Sequence, residues 1–131
     1  MHIEHIAIWC QDLERMRAFY EQYFGATSNS KYTNVQKNFE SYFLSFQKGA
    51  RLELMQMPNI PPHQNNVYSQ FLGLIHMAIW VGDETQVNLL TEQLRSDGYE
   101  IVGEPRRTGD GYYESVVLDP EQRSEEHTSE L

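Results

Sequence analysis

The sequence has one cysteine, Cys10, and only 10 Lys and Arg residues against 19 Asp and Glu, a formal net charge of −9. A single cysteine excludes an internal disulfide. The negative charge argues against a nucleic-acid partner, because phosphate binding requires a basic surface. No run approaches the roughly 20 consecutive apolar residues of a membrane span, and the start, MHIEHIAIW, lacks the basic segment and long apolar run of a signal peptide. We therefore expect a cytoplasmic protein that binds neither nucleic acid nor membrane.

What the chain does contain is an internal repeat. HIAIW at residues 5–9 returns as HMAIW at 76–80, and each copy is followed at the same distance by an aspartate, Asp12 or Asp83. The offset is 71 residues in a chain of 131, of which 40% are hydrophobic. This length suits one compact domain, and the repeat indicates that the domain is built from two copies of one unit.

The first copy predicts a strand, a helix and then further strands. Residues 3–9 are apolar and β-branched, with His5 on the face opposite Ile6 and Ile8. Asp12 can cap a helix that ends at Gly25 and whose apolar residues form one stripe: Leu13, Met16, Phe19, Tyr20 and Tyr23. Alternating patterns predict strands at 39–46 and 51–57, and a weaker edge strand begins at Thr27. The predicted order is β-α-β-β-β.

The second copy predicts the same order. A strand at 74–81 precedes a helix that is capped by Asp83, has Val87, Leu90 and Leu94 on one face, and is closed by Gly98. Two further strands are predicted at 100–105 and 112–119. Prolines and asparagines make the segment between the copies a connector. The prediction is a single α+β domain of two modules, with these bounds: module one 1–57, connector 58–73 and module two 74–122.

Three residues from these strands form a candidate metal site. The repeat places His5 and His76 at equivalent positions, and a pseudo-twofold arrangement of the modules would bring them together. In RLELMQM, Leu52 and Leu54 can face the helix, which directs Glu53 to the side of the histidines. Two imidazoles and one carboxylate are a set that binds divalent metals.

Each of these residues also has a plainer interpretation. A lone histidine in a strand is more often a surface or hydrogen-bonded residue than a ligand, and Glu53 fits the exposed side of a half-buried strand. The metal interpretation is favoured because the residues occupy equivalent repeat positions in strands that otherwise select apolar residues.

The same motifs resemble those of the vicinal-oxygen-chelate superfamily, in particular its glyoxalase and bleomycin-resistance-like small proteins. The resemblance rests on IEHIAIW, RLELMQ, GLIHMAIWV and GDGYYESVVLDPE, in that order. It implies tandem βαβββ modules that form a cupped mixed sheet with the helices on the outer face. It also implies a divalent metal (zinc, nickel, cobalt, manganese or iron), a small-molecule substrate that chelates the metal through oxygens, and a homodimer.

The C-terminus departs from the family pattern, which is Gly-Asn after the Asp-Pro turn and then a strand that carries a fourth ligand, a glutamate. Residues 123–131, RSEEHTSEL, have no alternating apolar face and resemble the translation of a sequencing-library adapter. The two interpretations are an artefactual tail and a genuine acidic one. The family position of the fourth ligand falls on Glu126. We expect pairing to hold the chain up to Glu126, with Thr128 to Leu131 loose.

Two classes of function follow from this set of residues. The first is a metal-dependent isomerase or lyase of the glyoxalase type, which transfers a proton through a metal-stabilised enediolate, with Glu53 and Glu126 as catalytic bases. The second is a non-catalytic module that sequesters a small molecule, such as a drug. A metal-dependent dioxygenase uses a similar ligand set and is a third, weaker alternative.

Strand parity also suggests residues around the substrate. Phe43, Met55 and Tyr113 are predicted to line the cavity. Arg106 and Arg107 could meet an anionic group, although adjacent arginines in a glycine-rich loop are more often solvated.

Overall fold

A computed structural model describes residues 1–64, 68–69 and 71–129. The chain divides into two compact units, Met1–His63 and Gln64–Leu131. The boundary between the units lies inside the predicted connector 58–73, of which residues 65–67 and 70 are outside the described part. The predicted single domain of two modules stays a prediction. In the described part of the chain, no helix is both long and apolar enough to cross a membrane.

Module one is a mixed sheet with one helix. Its elements are β1 (His5–Trp9), α1 (Leu13–Phe24), β2 (Thr27–Ser28), β3 (Tyr32–Asn34), β4 (Phe39–Ser45) and β5 (Arg51–Gln56). The strands lie side by side in the order β1-β5-β4-β2, and β3 also pairs with β4. β1 and β5 are parallel, whereas β4 and β5 are antiparallel.

Module two repeats this arrangement. Its elements are β6 (His76–Gly82), α2 (Glu84–Ser96), β7 (Ile101–Arg107), β8 (Tyr113–Leu118) and β9 (Ser124–Ser129). They form a sheet of order β6-β9-β8-β7, in which β6 and β9 are parallel and the other neighbouring pairs are antiparallel. The predicted α+β class and the repeated βαβββ order are therefore confirmed, with one sheet in each module and with two short strands, β2 and β3, pairing with β4 in module one as β7 pairs with β8 in module two.

Both helices begin at the predicted aspartates. The Asp12 carboxylate accepts a hydrogen bond from the Arg15 backbone N–H, which satisfies one of the donors left open at a helix start. Asp83 does the same for Gln86. Helix α1 ends at Gly25, whose φ of 65° is the left-handed conformation that a glycine adopts without a steric cost.

The helices cover one face of each sheet. All five apolar residues predicted for α1 are buried: Leu13, Met16, Phe19, Tyr20 and Tyr23. In α2 the buried residues are Val87, Thr91 and Leu94, and Leu90, predicted to share their face, is half-buried. Leu52 and Leu54 of β5 are also buried, which leaves the alternate residues of β5 on the face away from the helix.

The C-terminal segment differs from the prediction. β9 runs from Ser124 to Ser129 between β6 and β8, so the expectation that Thr128 and Ser129 are loose is wrong. The reason is that β6 and β8 each offer a free backbone edge. Pairing with both satisfies the backbone N–H and C=O groups of β9 and does not require an apolar side chain. Residues 130 and 131 lie outside the described part, and the artefact interpretation of the tail stays untested.

Candidate metal centre

In each sheet we call the side opposite its own helix the helix-free face. In module one this face carries His5 of β1 and Glu53 of β5, as predicted. His5 Nε2 lies 3.9 Å from Glu53 Oε1. Glu53 is largely shielded, with 16% of its side chain exposed, whereas His5 is 42% exposed. The pair therefore presents one imidazole nitrogen and one carboxylate on the same side of the sheet.

Neighbouring side chains fix the orientation of His5. Its Nδ1 is hydrogen-bonded to the carboxylate of Glu4, which also pairs with Arg51. On the other side, the His5 ring meets Phe43 edge-on, with 5.2 Å between ring centroids. A carboxylate bound to Nδ1 leaves Nε2 as the nitrogen with a free lone pair, and this is the arrangement typical of metal-binding histidines.

Module two carries the equivalent pair, His76 and Glu126. His76 Nε2 lies 3.2 Å from Glu126 Oε1, and 16% of the Glu126 side chain is exposed. The register is the same in both modules: Ala7 pairs with Glu53, and Ala78, 71 residues later, pairs with Glu126. The internal repeat therefore gives each module one histidine and one glutamate at matching positions.

Glu126 has a second carboxyl neighbour, Glu114 of β8. Burial first, and then the hydrogen bond to Glu114 and that group's negative charge, together raise the pKa of Glu126 to about 7. The positive charge of Arg106 acts in the opposite direction. Since its pKa is near neutrality, Glu126 can both accept and release a proton at physiological pH.

Both pairs fit a divalent metal in chemistry, and the pair of module two also fits it in distance. Two ligand atoms at about 2.0–2.2 Å from one ion lie about 2.8–3.6 Å apart at tetrahedral or octahedral angles. The His76–Glu126 separation falls in this range, and the His5–Glu53 separation is slightly wider. Among the described residues, no group of three or more His, Cys, Asp or Glu side chains is already gathered. Each module thus has two candidate ligands side by side, and the predicted convergence of all four stays a prediction.

The residues predicted to line the cavity fall on different faces. Phe43 pairs with Glu53 and Met55 pairs with Trp9, which places both on the helix-free face. The prediction for Tyr113 is wrong. Its hydroxyl donates to Asn88 Oδ1 of α2 at 2.8 Å, so it lies on the helix side.

Two residues of the site were missed by the sequence analysis, Glu4 and Glu114. The alternation in YYESVVL contains the signal for Glu114, because it shares a face with Val116 and not with the buried Ser115 and Val117. Glu4 had no pattern of its own, since it precedes the first strand and its role depends on the side-chain conformation of His5.

Comparison with known proteins identifies the family. A sequence model of the glyoxalase/bleomycin resistance protein/dioxygenase superfamily matches residues 2–122. The uncharacterised protein YwkD of Bacillus subtilis (strain 168) is 30% identical over 122 residues, which is 92% of this chain and 90% of YwkD.

Solved structures share the fold. A glyoxalase family protein from Bacillus cereus aligns with a TM-score of 0.82 at 17% identity, over 100% of this chain and 95% of that one. Trypanothione-dependent glyoxalase I from Leishmania major gives a TM-score of 0.76 at 22% identity, with coverages of 98% and 86%. Glyoxalase I from Zea mays gives a TM-score of 0.80 at 22% identity. The alignment includes 98% of this chain but only 44% of the maize enzyme. At these identities the likeness shows the fold alone.

Proposed function

Because this chain belongs to the glyoxalase/bleomycin resistance protein/dioxygenase superfamily, we propose that it is a metal-dependent, glyoxalase-like isomerase or lyase. Its substrate would be a small molecule that chelates the metal through oxygens and exchanges a proton between adjacent carbons through an enediolate. The observation that carries this proposal is the matched pair of His and Glu on each helix-free face, together with a Glu126 pKa near neutrality.

Four side chains would hold the ion: His5, Glu53, His76 and Glu126. Both histidines present Nε2 toward a carboxylate, and Glu4 holds His5 in that orientation. A bound divalent ion supplies a positive charge that stabilises the negative charge developing on the substrate oxygens.

The chain's own carboxylates would move the proton. Glu126 would be the base that takes a proton from one carbon of the substrate and returns it to the neighbouring carbon, since without metal its pKa is close to physiological pH. Glu53 is the equivalent group of module one and can exchange the roles of ligand and base with Glu126. We also propose a homodimer, on family resemblance alone.

Metal analysis and a substrate screen test this proposal. The purified protein should bind a divalent metal, and His76→Ala should lose most of it, whereas His63→Ala, which removes a histidine outside the two pairs, should retain it. Hemithioacetals and 2-oxo thioesters should be converted only with metal present. Glu126→Gln should lose a larger fraction of its activity than of its bound metal. Unchanged metal content in His76→Ala would contradict the site. Metal binding with no turnover of any substrate would favour the alternative, a non-catalytic small-molecule-binding module.

A further inference from the structure

We propose that Arg106 binds an anionic group, a carboxylate, on the substrate of this protein, and so selects acidic substrates. This inference deepens the proposed function and rests on it. It starts from two adjacent arginines in β7 that have opposite surroundings. Arg106 pairs with Glu114 and Arg107 pairs with Tyr113 across the β7–β8 ladder. Because directly opposed residues share a face and neighbours alternate, the two arginines point to opposite sides of the sheet.

Arg107 is engaged on the helix side. Its guanidinium forms an ion pair with Glu84 in the first turn of α2 and donates from Nη1 to the Gly111 carbonyl at 2.9 Å. It also lies over the ring of Tyr113, 5.8 Å from the centroid. These contacts join the loop after β7 to the start of α2, so Arg107 has a structural role and little capacity for a ligand.

Arg106 lies on the helix-free face, beside the proposed ligands. Its side chain is 64% exposed, and its Nη2 is 3.9 Å from Glu114 Oε1, beyond hydrogen-bonding distance. Glu114 is in turn hydrogen-bonded to Glu126. Since a guanidinium carries five N–H donors in a planar fork, Arg106 has donors to offer to a carboxylate that is bound next to Glu126.

Arg106 and Glu114 also break the internal repeat. Glu114 corresponds to Ser41 of module one, because Ser41 pairs with Met55 as Glu114 pairs with Thr128. Arg106 corresponds in the same way to Tyr32, because Tyr32 pairs with Ser41 as Arg106 pairs with Glu114. The repeated positions therefore supply the histidine and glutamate pairs, and at this unrepeated position module two has the cation Arg106 where module one has Tyr32. A positive charge there has a clear use, because Glu114, Glu126 and the nearby Asp110 would otherwise repel an acidic substrate.

Two matched chelators test the inference. Acetohydroxamate offers two adjacent oxygens to a metal, and the monohydroxamate of succinate offers the same oxygens with an added carboxylate. We expect the zinc-loaded protein to bind the carboxylate-bearing probe about tenfold more tightly, as one charge-assisted contact provides. Arg106→Met should abolish this preference and leave acetohydroxamate binding unchanged. Arg107→Met is the control: it should lower stability and keep the preference. Calorimetric titration measures all of these affinities.

The outcomes separate this inference from the proposed function. If acetohydroxamate does not bind the zinc-loaded protein, the oxygen-chelating site is wrong. If it binds and the wild type shows no preference, or Arg106→Met retains the preference, the role of Arg106 is overturned alone. A metal-free measurement keeps the test independent: titration with succinate should shift the Arg106 Nε–H resonance in the NMR spectrum, and acetamide should not. Absence of that shift would also overturn the inference.

Discussion

His127 stands in module two at the position that Leu54 occupies in module one. Leu54 pairs with Ile8 in the parallel ladder of β1 and β5, and His127 pairs with Ile79, the repeat of Ile8, in the ladder of β6 and β9. Both side chains are fully buried. A core position beneath the helix is thus apolar in one module and a histidine in the other.

Replacing this histidine by leucine should stabilise the protein. His127→Leu removes a polar ring from the core and restores the residue of the equivalent strand, which we expect to raise the free energy of unfolding by about 2 kcal/mol. The hydroxyl of Thr91 loses its 2.8 Å hydrogen bond with His127 Nε2 but keeps its bond to the Val87 carbonyl. Urea denaturation measures the change. The reciprocal control, Leu54→His, should destabilise by about 3 kcal/mol, and equal stability of both variants and wild type would contradict the equivalence.

The same histidine should make stability depend on pH. Burial lowers the pKa of His127 to about 4, against a usual value of 6.5, although a backbone hydrogen bond with Val87 acts in the opposite direction. The unfolded chain therefore takes up a proton first as the pH falls, so the stability contributed by neutral His127 is complete above pH 6.5 and is lost between 6.5 and about 4. The advantage of His127→Leu over wild type should grow across this window, by up to about 3 kcal/mol, in metal-free protein. A constant difference would refute the buried neutral state.

Glu126 should contribute the opposite slope. Its folded pKa, near 7, exceeds its usual value of 4.5, so the folded state binds the proton more tightly and this contribution to stability is lost as the pH rises through 7. Glu126→Gln should therefore gain stability relative to wild type as the pH rises from 4.5 to 7. The measurement is thermal unfolding of both proteins in chelator across that range. A difference that does not change with pH would show that Glu126 titrates normally.

The turn before β9 contains a backbone conformation that suits glycine. Gln122 has a φ of 67°, while Asp119 Oδ1 accepts hydrogen bonds from the backbone N–H groups of Glu121 and Arg123. A side chain in the left-handed region costs about 1–2 kcal/mol, so Gln122→Gly should stabilise the protein by about 1 kcal/mol. Glu121→Gly, at a neighbouring position without a positive φ, should not. Differential scanning calorimetry of the two variants decides this prediction, which fails if they shift Tm equally.

Glu4 should strengthen metal binding although it is not a ligand. Because its carboxylate holds Nδ1 of His5, Glu4→Ala should weaken metal affinity at least tenfold, by about the amount typical of such supporting contacts. Competition with a chromophoric chelator measures the affinity. Glu92→Gln, which alters an exposed ion pair with Arg95, is the control and should have no effect. Equal metal affinities for Glu4→Ala and wild type would show that the orientation of His5 does not depend on Glu4.

Most of the fold was predictable because local signals agreed with one another. In module one, the capping aspartate, the apolar stripe and the terminal glycine mark α1, and the alternation in β5 separates the buried leucines from Glu53. Strand β9 was mispredicted because Glu125 and His127 take the core positions that Leu52 and Leu54 take in β5, so its alternation contains no apolar signal. The available signal was positional, since a fourth strand completes the repeated order.

The candidate site was predictable in part for a related reason. The repeat identifies His5 and His76, and parity identifies Glu53. Contacts such as those of Glu4 with His5, or of Glu114 with Glu126, depend on side-chain conformations and on register between strands distant in sequence. An error of one residue in parity was enough to select Tyr113 instead of Glu114.

The alternation of β5 and β9 has an evolutionary consequence. One face of each strand packs in the core and the other carries the candidate site residues. Mutations on the first face therefore affect folding, and mutations on the second affect binding. On the packing side β9 has Glu125 and His127 where β5 has Leu52 and Leu54, while Glu126 holds the position of Glu53 on the opposite side. A strand of this kind can change its binding specificity at every second residue and leave the core unchanged. A deep mutational scan of β9 should therefore show effects on folding and effects on binding at alternate residues.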